Sequence, residues 1–350
     1  MKRVVITGIG PVSAIGIGRE AFFGALRERR PGLAPIAAFE AGGLPGGEVR
    51  AFNVADYLES QKNYLDRSSE LAFAALSLAL EDADLDPKGC PEAALLLGSA
   101  YGNLATMGLF FADFVQKGPR LVKPVLFPHT YSNTTISLLA MEYGLAGYHA
   151  NYAAGTVSAA CALAGAFDLI RQGRETLAFA GGFESLNPIL HAGLKAGGLL
   201  AGADGAGGIV PGEGAGLLVL EERDRALARG ARILGELAGA GLTGGGRIGE
   251  AMEAAWAQAG WEGIGPDLIV SHANGSPDLD RLEAAAIADF RGRHPGGRVE
   301  SIKPLTGETF GAGGALQAMA ALGAGAGRVL ANSLDAGGQS VCLALTGAGA

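Results

Sequence analysis

Strand-like and helix-like segments alternate along the chain, and this alternation restricts the possible folds more than any other feature. Short apolar runs at residues 94–97 and 217–220 are strand-like, whereas residues 67–82 and 160–172 show helical periodicity. Alternation of this kind is typical of layered folds in which helices cover the faces of a sheet. The sequence therefore predicts an α/β protein with a layered core.

A second series of strands and helices follows the first. It contains an apolar run at residues 233–238 and a helical segment at residues 248–259. Glycine-rich and acidic punctuation over residues 211–224 separates the two series. We therefore predict two related halves, residues 1–230 and residues 231–350, of which the second is shortened.

The first half contains a long segment without strand-like alternation. Residues 101–147 have little of the period-two pattern expected of a strand. Long connections of this kind in a compact domain are commonly functional. We predict that residues 101–147 form a cap insertion of loops and helices that covers a site.

Charge and cysteine content argue against several classes of function. The net charge is −8 and the basic residues are dispersed, which argues against a nucleic-acid-binding face. Cys90, Cys161 and Cys342 are far apart and lack CxxC spacing, so neither a disulfide framework nor a zinc site is predicted, and a reducing cytoplasm fits. The charge-free residues 310–327 are mostly glycine and alanine, which offer too little apolar surface for a membrane span.

Nucleotide, metal and serine-hydrolase motifs are missing from the sequence. The glycines at positions 8, 10, 16 and 18 do not match the dinucleotide-binding spacing G-x-G-x-x-G. No P-loop, HExxH or G-x-S-x-G motif occurs. We therefore expect no cofactor and no metal.

A sharp strand-to-helix turn is predicted in the first half. Residues 149–153 are β-rich, and the chain then breaks at Gly155-Thr156 into a run of small residues and a helix. Such a turn, called the elbow below, exposes one side chain and the first amides of the helix to a ligand. Here that side chain is Thr156, and a threonine hydroxyl is a weak nucleophile without an adjacent base.

Several motifs along the chain occur in the order and approximate spacing of a known enzyme family. They are Val4-Val-Ile-Thr-Gly-Ile-Gly10, the elbow at Thr156, Ala180-Gly-Gly-Phe-Glu184, Gly212-Glu-Gly-Ala-Gly216, Ser271-His-Ala-Asn-Gly-Ser-Pro277 and Lys303-Pro-Leu-Thr-Gly307. On these motifs the chain resembles β-ketoacyl-acyl-carrier-protein synthases of the elongating type, over nearly its whole length. The resemblance implies a thiolase-like fold, two related βαβαβ-type halves in a layered α-β-α-β-α arrangement, and a dimer formed largely through the first half.

The resemblance also implies catalytic positions, two of which have changed. In that family an elbow cysteine carries the acyl chain as a thioester and two histidines promote decarboxylation of a malonyl unit. Thr156 stands at the cysteine position, His272 at the first histidine, Lys303 at a structural lysine and Glu308 at the second histidine. We expect weak acylation at Thr156, and we expect an ionised Glu308 to oppose the enolate that decarboxylation develops.

The resemblance places a gate and an acyl tunnel as well. Residues 332–339 read Asn-Ser-Leu-Asp-Ala-Gly-Gly-Gln where the family has Asn-Ser-Phe-Gly-Phe-Gly-Gly-Thr, so an aromatic gate is absent. Backbone amides at Ala336 and Gly337 would then supply part of an oxyanion hole. The tunnel or dimer interface is expected at Phe127, His129, Tyr131 and Ile136.

Two functional hypotheses follow from different classes. In the first, the chain is a chain-length-factor-like partner of an active ketosynthase in fatty acid or polyketide biosynthesis, of an aryl-polyene-like kind, acting with an acyl carrier protein. In the second, it is an independent acyltransferase or thioesterase that uses Thr156 or Ser158 with His272 on acyl-carrier or coenzyme A thioesters. A ligand-binding scaffold with a residual acyl pocket, and a homodimer instead of a heterodimer, stay open.

Overall fold

Strands and helices alternate through the computed structural model, which describes residues 1–58, 60–261 and 263–347. The strands of the first half are β1 (Val4–Ser13), β2 (Gly16–Ile17), β3 (Ala34–Pro35), β4 (Pro45–Gly46), β5 (Ala94–Gly98), β6 (His149–Tyr152), β7 (Leu177–Glu184) and β8 (Gly214–Glu222). Its helices are α1 (Arg19–Glu28), α2 (Arg67–Asp82), α3 (Leu104–Lys117), α4 (Thr134–Tyr143), α5 (Ser158–Arg171), α6 (Pro188–Ala196) and α7 (Arg223–Ala228).

The second half repeats this alternation over fewer residues. Its strands are β9 (Gly235–Thr243), β10 (Leu268–Val270), β11 (Arg298–Glu300), β12 (Arg328–Leu334) and β13 (Ser340–Gly347). Its helices are α8 (Ile248–Ala259), α9 (Pro277–Arg293), α10 (Lys303–Thr306) and α11 (Gly313–Gly323). The proposed division near Gly230 falls between α7 and β9.

The two halves build the same sheet topology. In the described residues, the first half has the strand order β6-β5-β7-β8-β1 and the second half has β11-β10-β12-β13-β9. In each, the first three strands are parallel and the last two are antiparallel to their neighbours. The two halves therefore share one strand order and one set of strand directions, as expected of related units.

The sheets meet along one edge in addition to stacking on shared helices. Strand β1 pairs with β9 over a short stretch that includes Val4 with Leu237 and Ile6 with Gly235. The expected back-to-back arrangement is therefore supplemented by main-chain hydrogen bonds that join the two sheets into one.

Helices α5 and α11 lie between the sheets and form the centre of the core. Every residue of α11 from 313 to 322 is buried, as expected of a helix in which Gln317 is the one polar residue of that stretch. A Cβ atom at Gly314 would lie 2.9 Å from the Ala160 Cβ, so the two helices need small residues where they approach. The abundance of glycine and alanine thus reflects close packing at the centre.

Outer helices complete the layers. Helix α2 and part of α4 pack with Leu95, Leu97 and Phe179 on the outer face of the first sheet. Helices α8 and α9 pack with Ile269 and Leu330 on the second. The layer order is therefore α-β-α-β-α, which confirms the predicted fold class.

The cap insertion is built from helices. Residues 101–147 contain α3, a 3₁₀ segment at Pro124–Thr130 and α4. Over the described residues, no helix combines the length and apolar character that crossing a bilayer requires.

Candidate functional site

The elbow joins strand β6 to the buried helix α5. A short 3₁₀ turn at Gly155–Val157 connects them, and Gly155 has a φ of +60°. A Cβ atom at Gly155 would lie 2.0 Å from Asp335 Oδ1, so glycine is needed here for a second reason, the close approach of a carboxylate. The turn between β12 and β13 supplies that carboxylate.

Thr156 directs its polar atoms toward this turn. Its amide donates to Asp335 Oδ1 at 3.0 Å, and its hydroxyl donates to the Leu334 carbonyl and lies 3.2 Å from Asp335 Oδ1. The prediction that the elbow presents its amide to a ligand is therefore wrong. The physical reason is that the positive end of a helix attracts a carboxylate, and Asp335 provides one from within the chain.

The predicted oxyanion residues lie at the tip of the same turn. Ala336 and Gly337 are exposed, and the Gly337 amide donates to Asp335 Oδ2 at 2.7 Å. The Gly338 amide donates to the Asp335 carbonyl at 2.9 Å, which closes the turn. The Gly337 amide is thus engaged with Asp335, and the role of Ala336 and Gly337 in an oxyanion hole stays a prediction.

His272, Lys303 and Glu308 form a second, buried cluster. His272 follows strand β10, Lys303 begins α10, and Glu308 lies two residues beyond the end of that short helix. Lys303 Nζ lies 2.9 Å from His272 Nδ1 and 2.6 Å from Glu308 Oε2. The structure therefore brings together three of the four predicted catalytic positions.

Protonation in this cluster follows from its donors and its burial. A lysine ammonium only donates, so His272 Nδ1 accepts and Nε2 carries the ring hydrogen, 3.8 Å from Glu308 Oε2. Burial, and after it the Lys303 charge, lowers the pKa of His272 well below its usual value. His272 is therefore a neutral imidazole whose orientation is set by an ion pair between Lys303 and Glu308.

A layer of polar groups holds the His272 loop in place. The Glu283 carboxylate accepts from the amides of His272 and Ala273, each at 2.9 Å, and from Asn332 Nδ2 at 3.0 Å. Gln317 Nε2 donates to the Asn332 carbonyl at 2.8 Å. The loop is fixed by bonds that do not depend on a ligand.

Two further groups on α5, the Ser158 hydroxyl and the Cys161 thiol, could serve as nucleophiles, but neither is activated. The Ser158 hydroxyl is buried and donates to the Gly155 carbonyl at 2.7 Å. Burial raises the pKa of the Cys161 thiol to about 11. A serine needs an adjacent base and a cysteine a lowered pKa, so these contacts make both groups poor nucleophiles.

Two models of one protein family match most of this chain. The model of the β-ketoacyl synthase N-terminal domain matches residues 1–226, and that of the C-terminal domain matches residues 238–336. This chain belongs to the β-ketoacyl synthase family.

Individual relatives of this ketosynthase-family chain agree. The 3-oxoacyl-[acyl-carrier-protein] synthase 2 of a Synechocystis species is 30% identical over 91% of this chain and 84% of the relative. The solved ishigamide ketosynthase/chain length factor has a TM-score of 0.92 and 26% identity, and the match covers 99% of this chain and 100% of that one. A chain of the solved complex described as a type II PKS acyl-carrier protein with its ketosynthase gives a TM-score of 0.86 at 22% identity. The match covers 99% of each chain and shows a likeness of fold.

Three of the predicted tunnel residues of this ketosynthase homologue share one cleft. Phe127, His129 and Tyr131 line a cleft of about 510 Å³ on the cap. Ile136 instead belongs to the buried core on the outer face of the first sheet. The roles of all four in a tunnel stay a prediction.

Two residues near the candidate site, Asp335 and Glu184, were not among the site residues predicted from sequence. Asp335 occupies the position at which the family motif has glycine. The sequence of residues 332–339 contained this signal, since it shows the substitution. Glu184 is buried at the end of β7 and accepts from the Ala100 amide at 2.7 Å. No local sequence signal reports its burial, because its partners come from distant loops.

Proposed function

We propose that this chain is a chain-length-factor-like subunit that pairs with an active, cysteine-bearing ketosynthase. The observation that carries the proposal is the elbow: Thr156 replaces the nucleophile, and its hydroxyl and amide are bound to Leu334 and Asp335. The pathway proposed is fatty acid or polyketide biosynthesis, of an aryl-polyene-like kind, in the cytoplasm.

The chemistry of the site supports a subunit that does not carry the acyl chain. Acyl transfer to a hydroxyl needs a base within hydrogen-bond reach to remove its proton. The Thr156 proton points at a main-chain carbonyl, and His272 is held by Lys303. These contacts do not support the rival hypothesis of an independent acyltransferase or thioesterase in which His272 activates the nucleophile. Asp335 Oδ1 lies 3.2 Å from the Thr156 hydroxyl, but it already accepts from the Thr156 amide.

The surface of the cap supports a protein partner. Among the fully described residues of α3, Thr106 is the one that is buried, although the helix is rich in leucine and phenylalanine. Leu109, Phe111 and Val115 are 66%, 54% and 80% exposed. Contiguous apolar surface of this kind usually marks an interaction site.

The strand beside the cap is equally suited to pairing. Strand β6 lies at the edge of the sheet, and His149 and Tyr148 next to the cap are exposed. An uncovered edge strand offers unpaired main-chain groups to another chain. We therefore propose that the partner ketosynthase binds against β6 and α3. The cleft of Phe127, His129 and Tyr131 would contribute to the acyl tunnel. An acyl carrier protein would deliver the substrate.

Reconstitution of chain extension tests this function. The chain is combined with a cysteine-bearing ketosynthase paralogue, an acyl-carrier thioester and a malonyl-carrier thioester, and products are measured by mass spectrometry. We expect extension only when both subunits are present, and a product length that changes in Phe127→Ala. Unchanged extension by the partner alone, together with a stable homodimer of this chain, would contradict the proposal.

A further inference from the structure

Asp335 uses both carboxylate oxygens to bind main-chain amides around the elbow. Oδ1 accepts from the Thr156 amide at 3.0 Å, and Oδ2 accepts from the Gly337 amide at 2.7 Å. The turn that carries it is closed by the bond from the Asp335 amide to the Gln339 carbonyl at 2.9 Å. The carboxylate is therefore held over the start of α5 from two sides.

This position is where an acyl carbonyl oxygen would need to bind. In acyl transfer the developing oxyanion is stabilised by preorganised amides, and an amide at a helix start is well suited to that role. A carboxylate already bound to the amide fills the space for the oxyanion and adds a like charge beside it. The geometry points to Asp335 as a built-in blocking group that keeps acyl thioesters out of this elbow.

Two further features around the elbow accommodate the Asp335 carboxylate. Gly155 has no Cβ to collide with Asp335 Oδ1, and its φ of +60° is one that glycine adopts without strain. The Thr156 hydroxyl donates to Leu334, the residue before Asp335. Thr156 and Asp335 thus form one unit, and restoring a thiol at the elbow is not enough to restore its reactivity.

The consequence is a division of labour within the proposed pair. With its own elbow blocked, the chain directs the acyl group to the partner's elbow and does not compete for it. The inference rests on the proposed function only in taking Thr156 as a residue that is not acylated. Its test concerns the elbow of this chain alone, so a failure to pair with a ketosynthase leaves the test intact.

Three variants measure the block directly: Thr156→Cys, the double variant T156C/D335G, and the control T156C/D84G. The control removes an exposed aspartate with a φ of +51°, where glycine fits without strain. Each variant is treated with iodoacetamide at one pH, and alkylation of the introduced thiol is followed by tandem mass spectrometry of its peptides. Peptide masses distinguish this thiol from Cys90 and Cys342, and fragment ions distinguish it from Cys161, which lies on the same tryptic peptide. A neighbouring carboxylate disfavours a thiolate, so the charge of Asp335 and its cover over the elbow both slow alkylation of the introduced thiol.

We expect T156C/D335G to react at least tenfold faster than Thr156→Cys, and T156C/D84G to react like Thr156→Cys. Equal rates in T156C/D335G and Thr156→Cys would overturn the inference. Hexanoyl-CoA gives a second readout, because attack of the introduced thiolate on the thioester forms a new thioester and releases the CoA thiol. Acylation of the double variant alone supports the block, whereas equal acylation of both refutes it. Matched circular dichroism spectra and melting temperatures confirm that all variants are folded.

Discussion

At the residue scale, buried charges in this chain are compensated within short distances. The Lys303 ammonium contacts Glu308 Oε2 at 2.6 Å, and the other oxygen of Glu308 accepts from the Phe310 amide at 2.7 Å. Breaking a buried pair of this kind is expensive because the remaining charge has no partner. Glu308 is therefore tied to Lys303, and the cluster orients a neutral His272 without needing a substrate.

Glu184 is a buried acid whose protonation should make stability depend on pH. Burial raises its pKa to about 8, although the amides of Ala100, Tyr101 and Gly311 and the Ser99 hydroxyl lower it. An unfolded glutamate has a pKa of about 4.3, so at intermediate pH the folded state holds a proton that the unfolded state has released. The contribution of Glu184 to the free energy of unfolding is therefore full below about pH 4.3 and falls as the pH rises to about 8.

Glu184→Gln tests this dependence because glutamine resembles the protonated acid and does not titrate. The free energy of unfolding is measured in urea from pH 5 to pH 8 for both proteins, and the difference isolates Glu184 from other titrating groups. We expect the wild type to lose more than about 1 kcal/mol relative to the variant over this range. A difference that stays constant with pH would contradict the assigned protonation.

At the element scale, helix α3 has a largely apolar sequence, yet several of its large apolar side chains are exposed. An apolar helix that buries little of its surface is costly unless another surface covers it. Phe111→Glu combined with Val115→Glu is therefore expected to abolish pairing with the ketosynthase while changing the stability of the isolated chain by less than about 0.5 kcal/mol.

Ile264→Glu is the matched control for this pairing experiment. Ile264 is 51% exposed but lies in the second half, away from the cap. Size-exclusion chromatography with light scattering reports the complex for each variant. Pairing that survives both charges on α3 would place the partner elsewhere.

Elements with a strong local signal were predictable from sequence. The bounds of α2 and α8 coincide with the predicted residues 67–82 and 248–259, because Asp66 caps the first and Gly260 ends the second in a left-handed conformation. Strand β1 extends well beyond the apolar residues 4–6 with which it begins. It continues through Pro11 to Ser13, since pairing with β8 extends it beyond the reach of local propensity.

At the scale of the whole molecule, the two halves place the site at their junction. The elbow comes from the first half, while Asp335, His272 and Glu308 come from the second. Motif order was enough to predict the fold and three members of the buried cluster. The contact between Thr156 and Asp335 joins residues 179 positions apart, so no local pattern could report it.

Intact mass spectrometry tests the central claim, which is that this chain assists acyl transfer without carrying the acyl group. The purified chain is incubated with an acyl-carrier thioester, alone and with a cysteine-bearing ketosynthase, and a partner whose elbow cysteine is replaced by alanine serves as control. We predict an unmodified mass for this chain in every mixture and an acyl adduct on the intact partner only. An acyl adduct on this chain alone, abolished by Thr156→Val, would show that it is an acyltransferase in its own right.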